Sequence, residues 1–122
     1  MRNSPGSSRR LNRQNKMMSL IGLATKAGKT ASGEFSTEKS VKSGQAKLVV
    51  IASDASDNTK KKFSNMCTYY QVPFLIAGDK VSLGHCMGKE YRASLAVSDE
   101  NFANAILKAR IDRRELRPTW QR

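Results

Sequence analysis

The run KLVVIAS, Lys47–Ser53, decides the fold. A strand with one wet face alternates apolar and polar residues. An unbroken apolar, β-branched run instead marks a strand covered on both faces. VPFLIA, Val72–Ala77, repeats that character and gives a second core strand. Between them Asp54, Ser56 and Asp57 supply cap and negative charge for the start of a helix over 57–70. Its expected buried stripe is Phe63, Met66, Cys67 and Tyr70, with Lys60, Lys61 and Lys62 beginning on the outer side. Upstream, Met17, Leu20, Ile21 and Ala24 recur at helical spacing, which predicts a helix over 12–27 stopped by Gly28. A brief strand follows at Lys29–Ser32, then a helix at Glu34–Ser43 opened by Gly33 and closed by Gly44. Downstream, Gly78–Lys80 turn and Ser82–Met87 form a short helix ended by Gly88. Ala93–Val97 is a last strand, and Asn101–Arg110 a closing helix packed through Phe102, Ala103 and Ile106. Helices alternate with short strands throughout, so the expected fold class is α/β, with helices on both faces of one sheet.

The 122 residues suit one compact domain, and the 39% that are hydrophobic suffice for its core. Lys and Arg number 22 against 10 acids, a formal charge of +12. Solubility needs only about 2–8, so the excess points to a polyanion whose counterions basic side chains displace. Residues 1–16 carry five basic residues and no acid, and residues 108–122 carry six with two acids. Three quarters of the excess therefore lies in the ends, which predicts a basic N-terminal arm (1–16), a body (17–110) and a basic tail (111–122). The arm's NSPGSSRR has little to bury, so disorder is expected there until it meets phosphate; a solvated tail is the plainer alternative.

Several function classes find no support. No apolar run reaches the ~20 residues that cross a bilayer. Cys67 and Cys86 have no metal-ligand spacing and are too few for a disulfide scaffold, so both are expected as core fillers of a cytoplasmic protein. His85 is the sole histidine and reads as structural. Gly28-Lys29-Thr30 imitates the end of a phosphate-binding P-loop, but the required earlier glycine position holds Leu23, and the preceding segment is helical. Neither a catalytic triad nor a dinucleotide fingerprint is in place, so no enzyme, cofactor or metal is expected.

The informative stretch is AGKTASGEFSTEKSVKSGQAKL, Ala27–Leu48. Gly33 permits close backbone approach, and the amides of Glu34, Phe35 and Ser36 would point out of a helix start carrying partial positive charge. Lys26, Lys29 and Lys39 would ring that anion and base-edge receptor. An ordinary capped helix with solvated lysines fits the same residues.

SGEFSTEKSVKSGQAKLVVIASDASDNTKKK and YYQVPFLIAGDKVSLGHCMGKEYRASLAVSDENFANAI together resemble the YlxQ-type bacterial branch of the kink-turn-binding ribosomal proteins. This is the L-seven-Ae superfamily, with L-thirty-e, S-twelve-e and Gadd45 relatives, and the likeness runs from about Met17 to Leu107. It implies a three-layer α-β-α sandwich with a small mixed sheet, and recognition of kinked RNA bearing sheared G·A pairs. It further implies that the helix from Gly33 through Lys39 enters the RNA groove. Archetypal members place an Asn-Glu pair where this chain has Phe35 and Ser36, which leaves Ser36 and the backbone amides to bond base edges. The family's apolar recognition loop falls on Ala77, Gly78, Asp79, Lys80 and Val81, which would pack on a flipped base; a local hydrophobic turn is the alternative.

The expected protein is therefore a non-enzymatic, monomeric binder of structured RNA, ribosomal RNA or the ribosome foremost. Two rival readings use the same fold. One is a Gadd45-like protein-interaction module, which the lost Asn-Glu pair suggests and the basic ends oppose. The other is a substrate-binding subunit for an RNA-modifying enzyme.

Overall fold

The computed structural model describes residues 5–109, with side chains from Lys16 onward. The chain order is α1 (Pro5–Lys26), β1 (Thr30–Ser32), α2 (Glu34–Lys42), β2 (Leu48–Ile51), α3 (Asp57–Tyr70), β3 (Phe74–Ile76), α4 (Lys80–Cys86), β4 (Ser94–Val97) and α5 (Glu100–Ala109). One sheet has the strand order β1-β4-β2-β3. β2 and β3 are parallel, while β4 runs antiparallel to both β1 and β2, so the sheet is mixed.

The unbroken apolar run of β2 does what its composition requires. Leu48 and Val50 enter one core with Leu75, Leu95 and Val97, against Ile21 of α1, Leu83 of α4 and Ile106 of α5. Val49 and Ile51 face the other way, into a second core with Ala96, Val41 of α2, and Phe63 and Cys67 of α3. Successive side chains of a strand point to opposite faces. The four residues of β2 thus hold two helical layers against one sheet, and each fully buried Leu, Ile or Val contributes about 1.5–3 kcal/mol.

The element types and order match the pattern in the sequence, with two differences of more than one residue at helix starts. α4 begins at Lys80, two residues early, because Asp79 rather than the turn supplies the cap: its carboxylate accepts from the Ser82 amide at 2.7 Å. α1 begins at Pro5, so helical backbone covers much of the stretch expected as a disordered arm. The packed turns around Met17, Ile21 and Ala24 supply the nucleus, and upstream residues need only propagate it. Arg, Leu and Gln are good helix formers, and proline's fixed φ suits a first turn. The expected tail 111–122 lies outside the described residues.

Candidate nucleic-acid interface

Strand register places the candidate elements at one end of the sheet. Ser32 pairs with Leu95, Ser94 with Ile51, and Ile51 with Ile76. The start of α2, the β2–α3 turn, the start of α4 and the end of the α4–β4 loop therefore meet at the carboxyl ends of β2 and β3. Strands lie about 4.8 Å apart, so Gly33 beyond β1 and Gly78 beyond β3 stand about 14 Å from each other across the sheet.

Gly33 has φ 93° and ψ 158°, a conformation that a side chain would strain. Its amide donates to the Ser94 carbonyl at 2.9 Å, and its own carbonyl accepts from the Thr37 amide at 2.9 Å. That Thr37 bond is the first of the helix. The Glu34, Phe35 and Ser36 amides thus have no intrahelical acceptor, and no side chain caps them. All three residues are exposed, so the amide cluster foreseen at Gly33 is present and open to solvent.

The side chains around it are arranged less simply. Phe35 is 76% exposed, which rules out a core role for it. With Glu38, Lys39, Lys42 and Ser43 it lines an open groove of ≈ 450 Å³ along α2. Lys62 of α3 reaches Glu34 at 2.8 Å and Glu38 at 3.0 Å, and Lys42 reaches Glu38 at 2.7 Å. Hydrogen bonds from Lys42 and then Lys62 hold the Glu38 carboxyl below its ordinary range, and the bonds to Glu34 and Glu38 raise the Lys62 ammonium. The two acids of the α2 face are neutralised by this chain of ion pairs. Among the described residues Lys39 has no such carboxylate partner.

Two expectations need correction. Lys26 and Lys29 do not ring Gly33. Lys29 precedes β1, where its carbonyl accepts from the Ser98 amide at 2.8 Å beyond the far end of β4. The length of β1 separates it from Gly33 by about 13 Å, and Lys26 ends α1 on that same far side. The Ala77–Val81 wall is also smaller than expected. Ala77 is buried in the first core because the sheet continues under it, its amide bonding Ile51. The Gly78 carbonyl accepts from Ser53, and Asp79 caps α4, its carboxyl held low by the Ser82 amide. Lys80, whose amide donates to Asp54 at 2.9 Å, and Val81, 66% exposed, remain to face outward.

Sequence reasoning missed Arg92, which stands between the two walls. Its Nε donates to Ser32 Oγ at 3.1 Å, and its amide donates to the Lys80 carbonyl at 2.9 Å. One residue thereby ties the approach to Gly33 to the first turn of α4. The neighbouring Tyr91 is 59% exposed, adding an aromatic face beside Val81's loop. Its backbone lies against Gly84, where an added Cβ would sit 2.3 Å from Tyr91 Cα. Gly84 following Leu83 inside a helical stretch was a usable signal for a close contact, but nothing in the sequence said which segment it approaches.

Taken together, the end of the sheet offers free amides, three exposed residues with stacking or apolar faces (Phe35, Val81, Tyr91) and basic Lys39, Lys80 and Arg92. Free helix-start amides and positive charge suit phosphate and base edges, and the exposed rings suit unpaired bases. No group of three or more metal-ligating side chains occurs among the described residues.

Residues 15–107 match the sequence model of the Ribosomal protein L7Ae/L30e/S12e/Gadd45 family. A Bacillus subtilis relative named RNA-binding protein YlxQ is 43% identical over 88 residues, covering 72% of this chain and 88% of the relative. The protein of the same name from Enterococcus faecium is 41% identical over 92 residues, 75% and 87% of the two chains. A solved structure of a protein of unknown function from Bacillus halodurans is 37% identical, with TM-score 0.75 over 77% of this chain and 95% of that one. The Giardia lamblia 15.5kD RNA binding protein shares the fold at TM-score 0.69 and 21% identity, covering 80% of this chain and 83% of that one.

Proposed function

The chain belongs to the Ribosomal protein L7Ae/L30e/S12e/Gadd45 family, and from that premise we propose that it is a non-catalytic RNA-binding protein that recognises kinked, structured RNA, with ribosomal RNA its foremost candidate. The observation that carries the reading is the solvent-open amide cluster behind Gly33, set about 14 Å across the sheet from Gly78, which leads into Lys80 and Val81, with Arg92 bonded to both sides. A regular A-form groove shows proteins little of its bases, whereas a kink opens base edges and turns a base outward. The helix start would take the edges and flanking phosphates. The Lys80–Val81 and Tyr91–Arg92 segments would take the extruded base and its phosphate.

The test is titration of a kinked RNA with sheared G·A pairs against a straight duplex of equal length. Gly33→Asp places a carboxylate on the amide cluster and should abolish preference for the kinked RNA. Gly28→Asp is its control, because Gly28 also has positive φ (73°) in open space but lies at the far end of the sheet. Its thermal stability is measured alongside, and it should keep the preference. Equal behaviour of the two variants toward the kinked RNA would refute the placement of the site.

A further inference from the structure

A second groove lies at the end of the sheet opposite Gly33. Lys47 precedes β2 and Pro73 precedes β3, so the segments leading into these parallel strands meet at their amino ends. There the end of α2, the end of α3 and the start of α5 border an open groove of ≈ 520 Å³, within the ~300–1,000 Å³ of ordinary ligand sites. Its chemistry-bearing residues are Lys42, Lys47, Tyr70, Gln71, Glu100 and Asn104. Tyr70, expected on the buried stripe of α3, is instead 40% exposed at the groove wall. An edge-to-face contact with the exposed Tyr69, 4.9 Å between ring centroids, helps to orient it.

Gln71 is the only non-glycine residue with positive φ among the described residues, at 60°. It ends α3 in the left-handed conformation, a position that glycine takes without strain. Glutamine at this position sets an exposed side-chain amide at the groove despite the strain, and strained residues gather where ligands are held. Lys47 is exposed and has no carboxylate partner among the described residues. An aromatic ring, two lysines and two side-chain amides supply what an unpaired nucleotide requires: a stacking face, neutralised phosphates and partners for a base edge. The Glu100 carboxylate accepts only, so it suits a base with an exocyclic amine.

The helix α2 joins this groove to the Gly33 site. Phe35, Glu38, Lys39, Lys42 and Ser43 share one helix face and line the first groove, and Lys42 and Ser43 line the second as well. The nine residues of α2 span about 13 Å, so a strand leaving the amide cluster along this face passes Phe35 and Lys39 before Tyr70.

We infer that the Tyr70 groove takes an unpaired nucleotide from a single-stranded flank of the RNA held at Gly33, with α2 as the track between them. Tyr70 stacks on the base, Gln71, Asn104 and Glu100 bond its edge, and Lys42 and Lys47 hold the adjoining phosphates. This rests on the proposed RNA binding at Gly33 and extends its substrate to a kink followed by an unpaired strand.

The experiment titrates the full chain with three RNAs that share one kinked core. One is blunt-ended, and the others carry an oligoadenosine tail on the 5′ or the 3′ end. The parent should bind one tailed RNA about tenfold more tightly than the blunt one, the worth of a base stacked on an aromatic face. Tyr70→Leu should remove that gain and bind the blunt RNA as the parent does. Lys47→Ala, at an exposed position, should shrink the gain and lower the salt slope on the tailed RNA by about 0.7, the value for one phosphate of a single strand. Gln71→Gly should keep or raise Tm, because glycine relieves the left-handed strain, and still reduce the gain. A parent indifferent to both tails, or variants that lose equally on blunt and tailed RNAs, would overturn the inference. So would AMP that binds the parent but not Tyr70→Leu as tightly as the tail does, since that identifies a free-nucleotide site. Gly33→Asp separates the premise from the inference. If it binds the blunt RNA like the parent, the site at Gly33 is wrong. If it weakens that RNA while neither tail helps the parent, the Gly33 site stands and the groove falls.

Discussion

Replacing Gly84 by Ala should damage the interface from within the fold. Gly84 is buried inside α4, where Ala is ordinarily better than Gly by about 1 kcal/mol. Here the added Cβ would lie 2.3 Å from Tyr91 Cα, 2.6 Å from its nitrogen and 2.8 Å from its carbonyl carbon. These are backbone atoms, so no rotamer change relieves the clash. The Lys89–Arg92 segment must retreat by roughly 1 Å to reach ordinary contact. Three hydrogen bonds hold it where it is: Lys89 N–H to the Gly84 carbonyl at 2.8 Å, Arg92 N–H to the Lys80 carbonyl at 2.9 Å, and Arg92 Nε to Ser32 Oγ at 3.1 Å. At about 1 kcal/mol net for each bond, their loss outweighs the propensity gain by about 2 kcal/mol. For a domain of this size that lowers Tm by about 10 °C. The same movement leaves Arg92 and Tyr91 without a preset position, so affinity for kinked RNA should fall about tenfold as binding must order them. Calorimetry and RNA titration read the two effects. Gly88→Ala supplies the comparison, since Gly88 has φ 73° and open space around it; it should cost about 1 kcal/mol of backbone strain and no affinity. If Gly84→Ala unfolds and binds like the parent, the loop is not seated on this glycine and the two walls are not tied through Arg92.

Phe35→Ala should leave Tm nearly unchanged, because the ring is exposed, while weakening RNA by the ~1–3 kcal/mol of a base stacked on an aromatic face; an unaltered titration would leave Phe35 without a role in binding. Lys62→Ala should uncover the Glu34 and Glu38 carboxylates beside the α2 amides and weaken RNA binding, and adding Glu34→Gln and Glu38→Gln should restore it. Failure of that rescue would mean that Lys62 contacts phosphate itself. Burial pushes the Cys67 thiol up to about 11. Its thiolate is therefore scarce at pH 8, and alkylation in the folded protein should run at least ~100-fold slower than in urea. Because the folded form keeps the proton longer, the associated stability is complete below the unfolded thiol's pKa of ~8.5 and declines as pH rises towards 11. A Tm profile that is flat from pH 9 to 11 in parent and Cys67→Ala alike would show that the thiol is not so held.

Much was legible in the chain itself. The apolar run Leu48–Ile51 marked the central strand, because an unbroken β-branched run has to be covered on both faces, whereas Phe74–Ile76, read as a second core strand, is an edge strand that buries Leu75 and leaves Ile76 45% exposed. The helical stripes and glycine stops set the order of elements, and Gly33 announced a helix start with open amides. All of these are local properties, written in neighbouring residues. What the sequence left undecided is what depends on register and direction. Lys26 and Lys29 lie close to Gly33 in sequence, yet an extended strand of three residues carries them to the opposite end. Arg92 is 60 residues from Ser32, and only the antiparallel pairing of β1 with β4 brings them to 3.1 Å. Lys62 read as a solvent-facing lysine until the packing of α3 beside α2 set it between two carboxylates. Ala77 and Asp79 belonged to an apolar loop in the sequence and to the core and a helix cap in the fold. The composition established that the ends are basic. That α1 and α5 lie side by side across one face of the sheet was settled by the tertiary structure alone, because their pairing joins segments far apart in the chain, which no local pattern encodes.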